Sequence, residues 1–148
     1  PITLRLGGTV DRIDAKDTTL RIVDYKTGGS PKTPANIEQL FTPSESRPNY
    51  IFQTFLYAAI MSRQQSLKVA PSLLYIHRAA SESYSPVIEM GEPRQPKIPV
   101  SNFAFFEDEF REHLQRLLEE IFDKNEPFTQ TEDTKKCAYC DFKAICKR

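Results

Sequence analysis

The sequence predicts an α/β fold, a sheet flanked by helices, on three observations. Residues 4–13 and 20–26 are runs of alternating or β-branched apolar residues separated by a short polar turn, and residues 71–78 and 85–90 form a second such pair. Each pair is followed by a segment whose apolar residues recur at helical spacing. The resulting order is strand, strand, helix, strand, strand, helix, closed by a short cysteine-bearing segment.

In the first run Leu4, Leu6 and Val10 alternate with Arg5, Gly7 and Thr9, so a strand is expected to about Ile13. Residues 15–18 (AKDT) make a polar turn, after which Leu20, Ile22 and Val23 lead into Asp24-Tyr25-Lys26, a hairpin that Thr27-Gly28-Gly29 ends. Residues 30–47 are rich in Pro, Ser and Thr without periodicity and read as a loop able to fold over a substrate. Pro48 is suited to start a helix, in which Phe52, Phe55, Leu56, Ala59 and Ile60 mark an amphipathic pattern with Phe52, Leu56 and Ile60 as the core stripe. Residues 71–78 and 85–90 are strands about a turn at 80–83. Ser101 is the expected cap of a long helix carrying Phe106, Phe110, Leu114, Leu117, Leu118 and Ile121, which Pro127 stops.

With 148 residues, 39% of them apolar, the chain can build one core, so residues 1–148 are read as a single domain with one active site. No apolar run approaches the roughly 18 residues of a membrane span, and no basic-then-apolar leader opens the chain. A soluble, cytoplasmic domain is expected, without a membrane partner. The opening PITLRLGG, with no initiator Met, reads as a C-terminal excerpt of a longer protein. Lys plus Arg and Asp plus Glu both number 20, a zero net charge that weighs against autonomous tight nucleic-acid binding. It does not weigh against an enzyme acting on phosphates, because acidic metal ligands lower the total.

Asp24 and Lys26 are two apart on a strand and leave the same face about 6.6–6.8 Å apart at the backbone. Leu20 and Ile22 share that parity, so an apolar face turns charged near the strand's end. Hairpin pairing can bring Asp11 beside Asp24, giving two carboxylates for Mg²⁺ or Mn²⁺, with the Tyr25 carbonyl as a further oxygen ligand. Such an ion generates a nucleophilic water and offsets phosphate charge, while Lys26 adds a compact cation. D-x-K alone also fits an ordinary ion pair on a surface hairpin. Asp14 is the rival carboxylate, but in a regular strand it points opposite to Asp11, and Asp11 is the choice.

Three pieces in order, Gly8-Thr9-Val10-Asp11-Arg12-Ile13-Asp14, Ile22-Val23-Asp24-Tyr25-Lys26-Thr27-Gly28 and Gln53-Thr54-Phe55-Leu56-Tyr57, closely resemble the RecB and AddB nuclease domains of the PD-(D/E)XK superfamily. The resemblance implies a restriction-endonuclease-like core, a central mixed β-sheet flanked by helices. It also implies DNA as substrate, metal at Asp11 and Asp24, Lys26 as catalytic lysine, and Gln53 and Tyr57 beside the site. It further implies an Mg- or Mn-dependent deoxyribonuclease, the exonuclease part of a helicase–nuclease in recombination or repair, with a helicase subunit or domain as partner. The alternatives are a non-catalytic DNA-binding or scaffolding domain and a zinc-binding interaction module.

The tail, residues 129–148, holds Cys137, Cys140 and Cys146 as C-x2-C-x5-C, a poor disulfide framework and a better metal-ligand set. Iron–sulfur members of the family that the chain resembles add an upstream cysteine to complete a [4Fe-4S] cluster, and an upstream acidic residue or His to complete the active site. Both positions would precede Pro1, so three thiolates fall one short, and a cluster is expected only in the longer protein. His77 in an apolar strand and His113 on the long helix are expected to be structural.

Overall fold

The computed structural model describes residues 3–44, 46–132 and 134–147. Residues 45, 133 and 148, which belong to the expected loop and tail, lie outside the described residues. Strand β1 (Arg12–Lys16) pairs antiparallel with β2 (Thr19–Lys26), and β2 pairs in parallel with β3 (Lys68–Tyr75) in the order β1-β2-β3. Helix α1 (Asn49–Met61) makes the crossover that parallel pairing requires. A mixed sheet with helices packed on it is thus the observed class.

β2 is the central strand, and its Ile22, Val23 and Asp24 are all buried, as expected where both faces are covered. The hairpin closes through Asp17 and Thr18, with Asp17 at φ 54°, a left-handed conformation that Asp tolerates. The expected first strand is displaced. Residues 3–10 hold no regular element, Leu4 and Leu6 are exposed, and pairing begins only at Arg12. The alternation of Leu4 and Leu6 finds no strand to pair with, and Gly7-Gly8 weakens a strand where it stands.

Further along, β3 ends at Tyr75, and residues Ile76–Arg78 turn into a 3-10 helix. The expected strand over 85–90 shrinks to β4 (Glu89–Met90), which pairs with β5 (Ile98–Pro99), and to a single bridge between Ser72 and Val87. Tyr84 takes the place of a strand: its hydroxyl accepts from Tyr75 N–H at 2.8 Å and donates to the Leu73 carbonyl at 2.7 Å. The edge of β3 is satisfied by a side chain, so no ladder is needed there.

Pro48 sits at the N-cap of α1 and its carbonyl accepts from Ile51 and Phe52. The core face of α1 is Ile51, Thr54, Phe55 and Ala58; Phe52, Leu56 and Ile60, the expected stripe, are only half-buried. Asn102, not Ser101, caps the entry to the last long helix, accepting from Ala104 N–H at 3.2 Å ahead of a 3-10 turn over Phe103–Phe105. Helix α2 (Glu107–Phe122) follows and anchors through Phe110, which meets Phe55 and Phe103 at ring separations of 5.9 and 5.8 Å. These edge-on aromatic contacts make the centre of the core.

The expected loop over 30–47 is no free flap. Ile37 and Leu40 are fully buried, residues Glu38–Leu40 form a 3-10 turn, and Lys32 Nζ donates to the carbonyls of Ser46 and Arg47 at 2.8 and 3.2 Å. Apolar anchoring of this kind ties the segment to the core. His113 stacks on Phe41 at 5.2 Å, whereas His77 is exposed, with its ring edge-on to Tyr75 at 6.0 Å; it left the apolar strand when β3 ended early. Among the described residues no helix is long and apolar enough to cross a membrane.

Candidate active site

β2 carries Asp24 and Lys26 on one face, at the end where its pairing with β3 stops at Lys26 opposite Tyr75. Lys26 Nζ lies 2.5 Å from Asp24 Oδ2, and both side chains are largely buried, at 14% and 4% exposure. The same Asp24 oxygen has no hydrogen-bond donor aligned with it among the described residues, so it is charge-paired but geometrically unsatisfied. A buried carboxylate oxygen in that state is costly unless something else binds it.

The second partner of Lys26 is the side-chain carbonyl of Gln53 on α1, at 3.0 Å. Because an ammonium can only donate, the Gln53 amide is oriented with its oxygen inward, and its Nε2 then donates to Tyr57 Oη at 3.0 Å. One helical turn separates Gln53 from Tyr57, so a single face of α1 supplies both. Tyr57 is nearly buried, and the backbone of Gly8 packs on its hydroxyl: a Cβ at Gly8 would stand 2.7 Å from it. Asp24, Lys26, Gln53 and Tyr57 therefore form one connected chain.

Asp11 lies one residue before β1. Continuing the register of Arg12 with Val23 sets it opposite Asp24, and its Oδ2 accepts the Tyr25 N–H at 2.8 Å. The first carboxylate is thereby fastened to the backbone between Asp24 and Lys26. Asp14 belongs to the other face, where Arg21 grips it through two hydrogen bonds of 2.9 and 2.8 Å and Arg12 lies 2.9 Å away. These guanidinium hydrogen bonds, Arg21's first, hold the Asp14 carboxyl below its ordinary range against the opposing effect of desolvation.

Two further groups complete the wall. Tyr50, one turn before Gln53 on α1, places its ring 4.3 Å from Lys26 Nζ, a cation–π contact that the sequence reading missed although i and i+3 share a helix face. Gly29, at φ 77°, backs onto the Tyr50 ring, where a side chain would be both strained and crowded. Tyr75 is buried beside Lys26; burial first, then its neighbours Tyr50, Tyr84 and Asp24, raise its phenol above the ordinary range. It stays neutral at physiological pH.

The profile of the PD-(D/E)XK nuclease superfamily matches residues 1–147. The chain belongs to that superfamily. No curated protein and no solved structure matches it. PD-(D/E)XK nucleases typically use Mg²⁺ or Mn²⁺, and the donors at the strand end fit a hard cation in kind: two carboxylates, one with a buried oxygen lacking an aligned donor. No group of three His, Cys, Asp or Glu assembles among the described residues, but Mg²⁺ commonly takes only one or two protein carboxylates and keeps several waters.

The cysteines are a different case. Cys137 ends the short helix α3 (Thr134–Cys137), while Cys140 and Cys146 sit in the turns after it; none is in a disulfide. Among the described residues the three cysteines do not come together in a ligand group. A roomier cavity of about 930 Å³ lies between α1 and α2, lined by Leu56, Leu114 and Leu118. None of Asp11, Asp24, Lys26, Gln53 or Tyr57 borders it.

Proposed function

We propose that this domain is a metal-dependent deoxyribonuclease that hydrolyses phosphodiesters with Asp11, Asp24 and Lys26, Gln53 and Tyr57 acting as positioning residues. The observation that carries this reading is the buried Asp24–Lys26 pair whose ammonium is held from behind by Gln53, leaving Asp24 Oδ2 without an aligned donor. Asp11, Asp24 and the Tyr25 carbonyl would hold Mg²⁺ or Mn²⁺. When bound, the ion supplies Lewis-acid charge and lowers the pKa of its water.

The protein's own part follows from geometry. Gln53 fixes Lys26 at the strand end, where its charge can face a phosphoryl oxygen without reorganising. Tyr50 confines the ammonium from the side and keeps that face apolar. Asp11, tied to Tyr25 N–H, keeps its second oxygen available for a ligand. An exonuclease role beside a helicase subunit or domain, in recombination or repair, rests on the likeness of the three motifs and is proposed with it.

The test is degradation of linear DNA with Mg²⁺ or Mn²⁺, its arrest by EDTA, and the behaviour of Asp24→Ala and Lys26→Ala. Loss of cleavage by about 100-fold or more in each, with folding retained, is expected. Cleavage that persists in EDTA, or in either variant, refutes the assignment.

A further inference from the structure

Beyond the end of β3 lies a cleft of about 510 Å³ between residues 31–33 on one side and 81–89 on the other. Lys32 and Arg78 line it against a single carboxylate, Glu89, with the hydroxyls of Ser81 and Ser83 and the exposed ring of His77. Its position is fixed by the sheet. Tyr75, which borders the cleft, is the register partner of Lys26, and adjacent strands run about 4.8 Å apart. A smaller cavity of about 230 Å³ neighbours the cleft: Lys32, Ile51 and Tyr75 line both, and Tyr50, the ring against Lys26, lines the smaller.

We propose that this cleft seats the single DNA strand flanking the scissile phosphate, with Lys32 and Arg78 on its phosphates and the His77 ring beneath a base. The inference rests on the nuclease reading and deepens it. Three features carry it. The cleft is bordered by Tyr75, the register partner of Lys26, at the carboxyl end of a parallel strand pair, where α/β sheets bind ligands. Lys32 is held by two loop carbonyls and keeps a third N–H to donate, so its charge is fixed in place before a ligand arrives. The volume suits a couple of nucleotides and not a duplex, and an exposed ring beside cations offers the stacking and charge that single-strand grooves combine. The zero net charge of the chain is no obstacle, because the cationic surface is local.

The experiment is fluorescence anisotropy of labelled oligothymidylates, from about 2 to about 12 nucleotides, in EDTA so that binding is read without cleavage. In the wild type, affinity should rise over the first few nucleotides and then level off, as a cleft for a couple of nucleotides requires. The Lys32→Ala/Arg78→Ala variant should bind the longest oligomer about tenfold more weakly, gain little with length, and show a salt dependence shallower by about 0.7 per lost phosphate contact. Arg78→Ala alone, which leaves the Lys32 loop contacts intact, should lose about half of that slope change. His77→Ala should lose affinity with its salt slope unchanged, the signature of stacking and not of charge. Lys124→Ala, a cation removed elsewhere, should keep the wild-type curve.

Unchanged affinity, length dependence and slope in both Lys32→Ala/Arg78→Ala and Arg78→Ala would overturn the proposal. Equal losses on a blunt duplex would overturn the single-strand assignment. Wild type that binds with these losses but never cleaves sinks the nuclease reading alone, whereas cleavage with indifferent variants sinks the cleft alone.

Discussion

The carboxylate of Asp11 accepts a 2.8 Å hydrogen bond from the N–H of Tyr25, the residue between Asp24 and Lys26. A side chain outside β1 thus closes the hairpin at the point where the ladder itself has ended. The contact couples the position of one carboxylate to the strand that presents the other.

Asp11→Asn and Asp11→Ala separate the two roles of this residue. Asparagine can still accept the Tyr25 N–H through its side-chain oxygen but brings no charge, whereas alanine loses both. Asp11→Asn is expected to lose metal-dependent cleavage by 100-fold or so while melting like the wild type. Asp11→Ala should lose cleavage equally and about 1 kcal/mol of stability besides. Denaturant unfolding beside a cleavage assay reads both, and full activity in Asp11→Asn would remove Asp11 from the site.

Gln53 acts through Lys26, so its loss should be felt in turnover more than in substrate binding. Gln53→Ala is expected to lower kcat about tenfold with little change in KM, the equivalent of one net hydrogen bond at the transition state. Gly8→Ala is the more remote version: its Cβ would stand 2.7 Å from Tyr57 Oη, and Tyr57 can yield only by releasing Gln53. A similar fall in kcat is expected for Gly8→Ala and for Tyr57→Phe, since both break the Gln53–Tyr57 link, and Gly8→Ala/Tyr57→Phe should fall little further than either; losses that simply add would break the chain of contacts at Tyr57.

What the sequence made legible, and what it hid, divides along a physical line. β2 and α1 were readable because local periodicity decides them: Ile22, Asp24 and Lys26 alternate, and Phe52, Phe55, Leu56 and Ala59 keep helical spacing. The opposition of Asp11 and Asp14 could be reasoned from pleat parity alone, and the register places Asp14 with Arg21 on the other face. Nothing local says that Leu4 and Leu6 lack a partner strand, because pairing is a long-range event. Nothing local says that the Tyr84 hydroxyl would satisfy the edge of β3 and leave most of 85–90 without a ladder. The contact of Tyr50 with Lys26 spans two elements and was invisible for the same reason, although its spacing from Gln53 offered a clue.

The segment 30–47 reads as a loop because its composition is polar and turn-forming, and Ile37 and Leu40 pin that loop to the core. Leu40→Ala should therefore destabilise the whole domain by roughly 2–5 kcal/mol, as a fully buried large-to-small change does, with one cooperative transition. A mobile flap would lose almost nothing. Urea unfolding compared with Glu38→Ala, a change at an exposed position of the same turn, provides the measurement.

Asp14 gives a pH signature that belongs to the hairpin and not to catalysis. Its carboxyl lies below the ordinary range in the folded state, chiefly through the two hydrogen bonds from Arg21, so the folded state prefers the ionised form. A depressed carboxylate contributes stability that is fully present above its unfolded value, about 3.9, and is lost as pH falls through the folded one. Neither guanidinium titrates in that window: Arg12 is raised by its hydrogen bond to Tyr25 and by Asp14, and Arg21 by Asp14. The wild type should accordingly melt above Asp14→Asn by a constant margin from neutral pH down to about 5, and the margin should shrink toward zero as the pH is taken below about 4. The effect is modest because the pair is solvent-facing, and about 0.5 M salt should reduce it further. Thermal melts of both proteins across that range read it directly; a margin that does not change with pH would mean that Asp14 acts by shape or packing and that its charge is idle.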